Sequence, residues 1–178
     1  MNITNRNDFG LLLNEMGLTG SAVEIGVADG NFAKDTLFIW QGLKYYMVDL
    51  WARYDGYTDL IERDDLIMQQ MFENVNTMFV NEPRAEIVRM SSLNAASKFE
   101  NDFFDFVYID ANHDYDYVVA DIKAWFPKVK SGGILAGHDY KEGYGVVRAV
   151  DEFIKETGLK LNLTNEENGF WSWWVVKP

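Results

Sequence analysis

The segment Val23-Glu-Ile-Gly-Val-Ala-Asp-Gly-Asn-Phe-Ala33 decides the fold of this chain. The apolar run from Ala22 to Val27 predicts a buried strand, and the glycines at positions 26 and 30 predict a turn after it. Side chains suited to a buried face then recur at helical spacing, at Phe32, Ala33, Thr36, Leu37 and Trp40. A strand, a glycine turn and a helix start are typical of nucleotide-type pockets in α/β proteins. Glycines let the backbone approach a ligand, and the first turn of a helix offers backbone N–H groups.

The acid and the glycines of this segment have the spacing Glu-x-Gly-x-x-x-Gly, with Glu24, Gly26 and Gly30. This differs from the Gly-x-Gly-x-x-Gly of dinucleotide-binding proteins and so disfavours a nicotinamide-dependent oxidoreductase. The segment resembles the first motif of class I S-adenosylmethionine-dependent methyltransferases. That resemblance implies that Glu24 faces the methionine part of the cofactor, while Gly26 and Gly30 allow close approach of the backbone.

Two further positions extend the predicted cofactor pocket. Asp49 lies near the end of the second predicted strand, Lys44–Leu50. It follows the glycine turn by roughly 20 residues, the offset at which α/β nucleotide sites place an acid on the ribose hydroxyls. We therefore expect Asp49 to bind ribose. Ser91 and Ser92 follow the third predicted strand, where both are good helix caps, and the resemblance implies that they also contact the adenine.

Predicted strands alternate with predicted helices along the chain. Strands are expected at residues 22–27, 44–50, 85–90, 103–110 and 134–139, the last after the glycine pair at 132 and 133, and a hairpin is expected from residues 159–163 and 170–176. This alternation predicts an α/β protein with a mostly parallel sheet wrapped by helices. With its antiparallel final strand, the pattern resembles the Rossmann-like, seven-stranded sandwich of class I methyltransferases. We expect residues 1–178 to form a single methyltransferase domain.

Both histidines of the chain lie beside an acid at the predicted end of a strand. His113 follows Asp110 by three residues, and His138 directly precedes Asp139. The carboxyl ends of neighbouring strands in an open α/β sheet meet at the edge where ligands bind. Each residue alone is explained by helix capping or by a satisfied buried carbonyl, but their joint placement favours a functional cluster.

The loops Ile109-Asp-Ala-Asn-His113 and Gly137-His-Asp-Tyr140 resemble those of metal-dependent O-methyltransferases, both the catechol O-methyltransferase type and the bacterial sugar and macrolide type. The resemblance implies that Asp110, His138 and Asp139 bind a divalent cation, Mg²⁺ or Mn²⁺. It also implies that Asp110 contacts the cofactor and that His113 is the general base. The family normally has an acid at the position of His138. A neutral imidazole there favours Mn²⁺, Fe²⁺ or Zn²⁺ over Mg²⁺.

These observations predict an S-adenosylmethionine-dependent enzyme that methylates an oxygen of a small hydroxylated acceptor. Three alternatives stay open. The first is a class I methyltransferase without a metal, in which His113 acts alone as the base. The second is a metal-dependent hydrolase whose Asp/His cluster activates water. The third is a nucleotide-binding protein without catalysis. Activity that survives EDTA would select the first. Binding of S-adenosylhomocysteine without methyl transfer would select the last.

The composition limits the partners. The chain has 178 residues, 48% of them hydrophobic, no cysteine and a formal net charge of −12. Because nucleic-acid binding relies on Lys and Arg to neutralise phosphates, this charge argues against a nucleic-acid partner. The lack of cysteine suits a cytoplasmic location, no apolar run is long enough to span a membrane, and the N-terminal residues lack a signal-peptide pattern. A short, aromatic-rich chain is compatible with a homodimer.

Three other segments carry weaker signals. The loop from Trp51 to Asp59 is expected to be either a packed surface loop or a lid over the pocket. Asn7 or Asp8 is expected to cap the first helix. Tryptophans near the C-terminus are expected to pack in the core rather than stack on a substrate, at Trp171, Trp173 and Trp174.

Overall fold

A computed structural model describes residues 3–53, 65–165 and 169–178. Its strands are β1 Ser21–Ile25, β2 Lys44–Asp49, β3 Ala85–Arg89, β4 Phe104–Ile109, β5 Val129–Tyr140, β6 Asn162–Leu163 and β7 Trp171–Val176. They form one seven-stranded sheet with the order β3-β2-β1-β4-β5-β7-β6. The first five strands are parallel, and β7 is antiparallel to both of its neighbours. The predicted mostly parallel, Rossmann-like sheet with an antiparallel C-terminal strand is confirmed.

Helices cover both faces of the sheet. In the described ranges they are α1 Phe9–Glu15, α2 Asn31–Ile39, α3 Asp65–Phe79, α4 Ser92–Ala96, α5 Tyr115–Trp125 and α6 Gly145–Thr157. One hydrophobic cluster joins α1, α2 and α3 to one face, and a second joins α4, α5 and α6 to the other. Successive strand residues enter different clusters, Ala22 the first and Val23 the second, because side chains alternate across a strand. The central strands are mostly apolar because both faces of the sheet are covered there, and β4 is buried at every position.

Two strand predictions are wrong in extent. β5 begins at Val129, before the glycine pair, because Val129 pairs with Phe104 of β4. The register between the two strands then shifts before Phe106 pairs with Ile134, so the glycines lie inside the strand instead of ahead of it. The first arm of the predicted hairpin is also shorter, since β6 covers only Asn162–Leu163.

Asp8, one of the two predicted cap residues, is the N-cap residue of α1, but its side chain makes no capping hydrogen bond to that helix. A 3₁₀ turn, Arg6–Asp8, precedes α1, and its N-cap is Asn5. The side chain of Asn5 accepts the N–H of Asn7 at 2.9 Å, and the side chain of Asp8 accepts the N–H of Asn5 at 3.1 Å. This reciprocal pair is a capping box, and it fixes the position of Arg6.

The buried tryptophans fill the core. Trp173 is 1% exposed, as expected, and Trp171 and Trp174 are partly buried. Trp51 is also 1% exposed, and its indole N–H donates to the carbonyl of Ala28 at 2.9 Å. This end of the loop therefore packs against the glycine turn, while positions 54–59 of the loop lie outside the described residues. Within those residues, no helix is both long enough and apolar enough to cross a membrane.

The sheet brings three chemistry-bearing segments to one edge. β1 lies between β2 and β4, and the strand order reverses between β1 and β4, which opens a crevice at their carboxyl ends. Asp49 ends β2, Gly26 follows β1 and Asp110 follows β4. The N–H of Asp110 donates to the carbonyl of Ile25 at 2.7 Å. The ends of β1 and β4 are therefore held side by side.

Candidate active site

A cavity of about 1160 Å³ opens at the carboxyl ends of the parallel strands. It is lined by most of the predicted site residues, namely Glu24, Gly26, Asp49, Ser91, Ser92, Asp110, His113 and Asp139. Gly30 and His138 are not part of its lining. The glycine segment and the Asp/His cluster are far apart in the sequence but share one cavity.

Gly26 brings the turn after β1 against the backbone of the loop that follows β4. Its φ is +86°, and a Cβ added to it would lie 2.1 Å from the carbonyl oxygen of Asp110. Only glycine fits this position. Gly30 contacts α3 instead, where an added Cβ would lie 3.1 Å from Phe79 and 3.2 Å from Val75. Gly26 therefore shapes the cavity wall, and Gly30 serves the packing of α3 against the start of α2.

Asp49 holds the glycine turn. Its Oδ2 accepts the N–H groups of Val27 and Ala28 at 2.9 and 3.0 Å, and its Oδ1 accepts the N–H of Trp51 at 2.7 Å. These backbone N–H groups need an acceptor in the folded chain, and Asp49 supplies it. A carboxylate has about four lone-pair sites. One therefore remains for a ribose hydroxyl at the cavity surface.

Glu24 is a buried acid in the cavity wall. It is 1% exposed, and the hydroxyl of Tyr45 donates to its Oε2 at 3.1 Å. Burial raises the pKa of Glu24 well above the ordinary 4.5. The positive charge of Arg6 opposes this rise in the pKa, and the negative charge of Asp110 adds to it. Glu24 therefore keeps its proton to a higher pH in the folded protein than in the unfolded chain.

We expect Glu24→Gln to stabilise the ligand-free protein by an amount that grows as the pH rises above the ordinary carboxyl pKa of 4.5. A carboxyl group whose pKa is raised by folding loses stability as the pH rises from the unfolded pKa towards the folded one. A neutral glutamine escapes this loss and can still accept from Tyr45. Urea unfolding of wild type, Glu24→Gln and the exposed Glu100→Gln at several pH values measures the effect. A free-energy difference that stays constant with pH for Glu24→Gln would contradict a raised pKa.

Arg6 is a site residue that the sequence analysis missed. Its Nη2 donates to Oδ2 of Asp110 at 2.8 Å. The guanidinium also lies 4.7 Å from the ring centre of Phe32 and 5.4 Å from that of Tyr108, within cation–π range. A lone arginine ahead of the first helix belongs to no motif, and 104 positions separate it from Asp110. No local signal was available to find it.

Asp110, His113 and Asp139 form the centre of the site. Each offers one ligand-type atom, and these atoms lie within 4.8 Å of one another. Nε2 of His113 is 2.7 Å from Oδ2 of Asp139. Asp139 has a φ of +56°, in the left-handed region that Asp and Asn tolerate better than most residues. Two carboxylates and an imidazole are a donor set that suits a divalent cation.

His138 lies beside this cluster. Its Nδ1 is 3.2 Å from Oδ1 of Asp139 and 3.8 Å from Oδ1 of Asp110. Burial favours a higher pKa for Asp139, but hydrogen bonds and charge from His113 and His138 outweigh it and hold the pKa well below the usual 3.8. Asp139 is therefore an anion between two imidazoles. The predicted ligand set of Asp110, His138 and Asp139 shares both carboxylates with the cluster that includes His113.

Ser91 and Ser92 lie at the start of α4. Ser91 is the N-cap residue, but its side chain makes no capping hydrogen bond. The hydroxyl of Ser92 donates to Asp121, and its oxygen accepts the indole N–H of Trp125 at 2.9 Å. Asp121 was also missed, although an acid on the apolar face of α5, between Val118 and Trp125, is a signal that sequence inspection can find.

Comparison with known proteins agrees with this geometry. A family model described as a methyltransferase domain matches residues 23–140, which contain the glycine turn, Asp49 and the Asp/His cluster. A search of curated proteins found no match.

Solved structures share the fold at low identity. An O-methyltransferase from Bacillus cereus, in complex with S-adenosylhomocysteine, is 18% identical with a TM-score of 0.62, over 99% of this chain and 82% of that one. An O-methyltransferase family protein from Burkholderia thailandensis is 13% identical with a TM-score of 0.69, over 96% and 55% of the two chains. Spermidine synthase from Thermotoga maritima is 16% identical with a TM-score of 0.59, over 96% and 59%. At such identities the likeness shows the fold alone, and one fold hosts more than one kind of group transfer.

The family match settles the class of enzyme, because it covers residues 23–140 of the 178. The matched region runs from β1 to the end of β5 and includes every residue of the predicted cofactor and metal sites. The sheet order and the antiparallel last strand agree with the fold that the sequence motifs implied. The chain therefore belongs to the methyltransferase-domain family and is a class I S-adenosylmethionine-dependent methyltransferase.

Proposed function

We propose that this methyltransferase modifies a hydroxyl oxygen of a small acceptor, with His113 as general base and a divalent cation at Asp110 and Asp139. One observation carries the proposal. The ligand-type atoms of Asp110, His113 and Asp139 lie within 4.8 Å of one another, at the cavity that the glycine turn also lines. Two of the solved neighbours are named O-methyltransferases, which supports oxygen as the acceptor atom.

The donor set fits a divalent cation. Asp110 and Asp139 would supply carboxylate oxygens, and His138 would supply Nδ1, which lies 3.8 and 3.2 Å from those carboxylates. A mixed oxygen and nitrogen set suits Mn²⁺, Fe²⁺ or Zn²⁺ better than Mg²⁺. When bound, such a cation would lower the pKa of an acceptor hydroxyl.

In this proposal His113 takes the proton of the acceptor. Its side chain is 24% exposed, and its Nε2 lies 2.7 Å from Oδ2 of Asp139. The carboxylate of Asp139 stabilises the imidazolium that forms when the ring takes a proton, because a nearby opposite charge favours the charged form. It also holds the ring in one orientation, and it leaves Nδ1, a buried atom in this structure, as the nitrogen that would take the acceptor's proton.

Methyl transfer then requires one bond to form and one to break. The acceptor O–H gives its proton to His113, and an oxygen lone pair forms the new C–O bond. The bond between the methyl carbon and the sulfonium breaks, and its electron pair stays on sulfur in neutral S-adenosylhomocysteine. The leaving group is already activated in the cofactor, so the protein contributes mainly positioning.

The Arg6 contact favours a second candidate, methyl transfer without a metal. Nη2 of Arg6 already pairs with Oδ2 of Asp110 at 2.8 Å. A divalent cation at Asp110 would repel this guanidinium unless Arg6 moved away. In the metal-free version, His113 and Asp139 act together as the base, and the chain supplies its own positive charge beside the reacting groups.

The test is transfer of a labelled methyl group from S-adenosylmethionine to small acceptors with one or two hydroxyls, with added Mn²⁺ or with EDTA. We expect EDTA to lower the rate by about tenfold or more and Mn²⁺ to restore it. Transfer that is insensitive to EDTA but lost in His113→Ala would select the metal-free candidate. Methylation of amine or thiol acceptors in preference to hydroxyls would contradict the proposal.

A further inference from the structure

A second cavity lies beside the reaction centre. This cavity, the α6 groove, is lined by the end of β5, one face of α6 and the start of β7. Its volume is about 750 Å³, within the range of small-molecule sites. Asp139 lines the cofactor cavity, and the next residue, Tyr140, lines the α6 groove. Tyr144 also lines the groove, and its ring centre lies 5.6 Å from that of His113. The groove therefore begins one side chain away from the proposed base.

Aromatic side chains form part of the groove wall. Tyr140, Tyr144 and Trp171 come from three different segments of the chain, and all three are partly exposed. Phe170 packs edge-on against Tyr144, with the ring centres 5.7 Å apart and the ring planes at 85°. The face of an aromatic ring carries partial negative charge and attracts a cation. The wall is therefore suited to a positively charged group.

Two acids of the groove have oxygens that can accept further hydrogen bonds. The hydroxyl of Tyr140 donates to Oδ1 of Asp151 at 2.7 Å. Within the described parts of the chain, Oδ2 of Asp151 and both carboxylate oxygens of Glu142 accept no hydrogen bond. Both acids line the groove and are exposed. A ligand that carries N–H donors can therefore reach them.

The two basic side chains of the groove already have partners within the chain. Nε of Arg148 pairs with Oε1 of Glu152 at 3.0 Å, and the guanidinium lies 4.0 Å from the ring centre of Tyr115. Nζ of Lys141 lies 3.5 Å from the ring centre of Phe170. The chain thus places an ammonium group of its own on this aromatic cluster, which shows that the cluster accommodates one.

We propose that the α6 groove binds a protonated amino group of the methyl acceptor. The aromatic rings would form its wall, and Asp151 and Glu142 would supply the opposite charge. Because Arg148 and Glu152 neutralise each other, two acids face one remaining cation among the described lining residues. The formal net charge of −12 also attracts a cationic acceptor. The inference rests on the proposed function, since it names the class of hydroxylated acceptor as one with an ammonium group away from the reacting oxygen.

The experiment compares three acceptors that share a dihydroxyphenyl ring and differ at the end of a short side chain. One ends in a protonated amine, one in its N-acetyl amide and one in a carboxylate. Transfer of a labelled methyl group from S-adenosylmethionine gives kcat/KM for each acceptor. We expect wild type to prefer the amine to the amide by about tenfold, the worth of about 1.4 kcal/mol of cation–π and charge interactions.

Two substitutions should change this preference in opposite directions. Asp151→Asn removes a charge but keeps an oxygen for Tyr140, and it should lower kcat/KM for the amine by about threefold, the size of one exposed charge interaction. Lys141→Gln removes the competing ammonium and should raise it by a similar factor. The value for the amide should stay within about twofold in both variants. Glu156→Gln and Lys155→Gln, exposed on the same helix, are the matched controls and should change neither value.

Four results would overturn the inference. The first is equal kcat/KM for amine and amide in wild type. The second is a preference for the carboxylate, which Lys141 and Arg148 would bind. The third is an equal loss for amine and amide in Asp151→Asn, which would mark a purely structural role of its contact with Tyr140. These three leave the proposed function standing, because the hydroxyls are still methylated. The fourth is methyl transfer to none of the three acceptors, which would remove the proposed function as well.

Discussion

Replacing Asp139 by asparagine should lower methyl transfer by about a thousandfold and leave the affinity for S-adenosylhomocysteine within about threefold of wild type. Asp139 pairs with Nε2 of His113 at 2.7 Å and with Nδ1 of His138 at 3.2 Å. Removing its charge weakens the proposed base and the proposed cation site together, and general base catalysis alone contributes about 10²–10⁴-fold. Asparagine keeps the shape and tolerates the φ of +56°.

The matched control for this substitution is Asp102→Asn. Asp102 also has a positive φ, +54°, but its side chain is 64% exposed and pairs with Lys177 on the surface. Turnover and binding should both stay near wild type. Steady-state rates with labelled S-adenosylmethionine and calorimetric titration give the two quantities. An Asp139→Asn enzyme with turnover within threefold of wild type would remove both the base and the cation from the account.

Replacing Gly26 by alanine should destabilise the protein and weaken S-adenosylhomocysteine binding by at least about a hundredfold. The added Cβ would lie 2.1 Å from the carbonyl oxygen of Asp110 and 2.7 Å from Cα of Ala111. These are backbone atoms, so the turn and the β4–α5 loop must move apart. We expect the free energy of unfolding to fall by about 3–5 kcal/mol, the range of severe substitutions.

Gly17→Ala is the control that separates the steric overlap of an added Cβ from the cost of a left-handed backbone conformation. Gly17 has a φ of +71° and no atom within 4 Å of an added Cβ, so alanine there costs only the left-handed conformation, about 1–2 kcal/mol. Urea unfolding and calorimetric titration of both variants measure the difference. Equal destabilisation of Gly17→Ala and Gly26→Ala, with wild-type affinity in the second, would show that the turn does not shape the cofactor site.

The sequence was most informative where one segment carries both the local fold and the chemistry. The run from Ala22 to Ala33 predicts a strand, a turn and a helix from periodicity and two glycines, and the structure has β1, Gly26 and α2 in that order. Two histidines beside acids at strand ends predicted a cluster, because parallel strands bring their carboxyl ends to one edge. The alternation of strands and helices predicted the mostly parallel sheet on which these segments meet.

The missed features depend on contacts between distant segments. Arg6 reaches Asp110 across 104 positions, and no local pattern encodes that approach. Asp49 was expected to bind a ligand, but it also accepts hydrogen bonds from the amides of Val27 and Ala28. These amides need an acceptor only once the turn is folded. The length of β5 depends on its pairing with Phe104 of β4. Such pairings are set by the whole sheet rather than by the residues of one strand.

The central claim is that one cavity holds the cofactor with its ribose at Asp49 and its sulfur beside the Asp110, His113 and Asp139 cluster. A crystal structure of the protein with S-adenosylhomocysteine tests it most directly. We expect the ribose at Asp49 and the sulfur facing His113. S-adenosylhomocysteine bound elsewhere, or bound with its sulfur turned away from His113, would contradict the account.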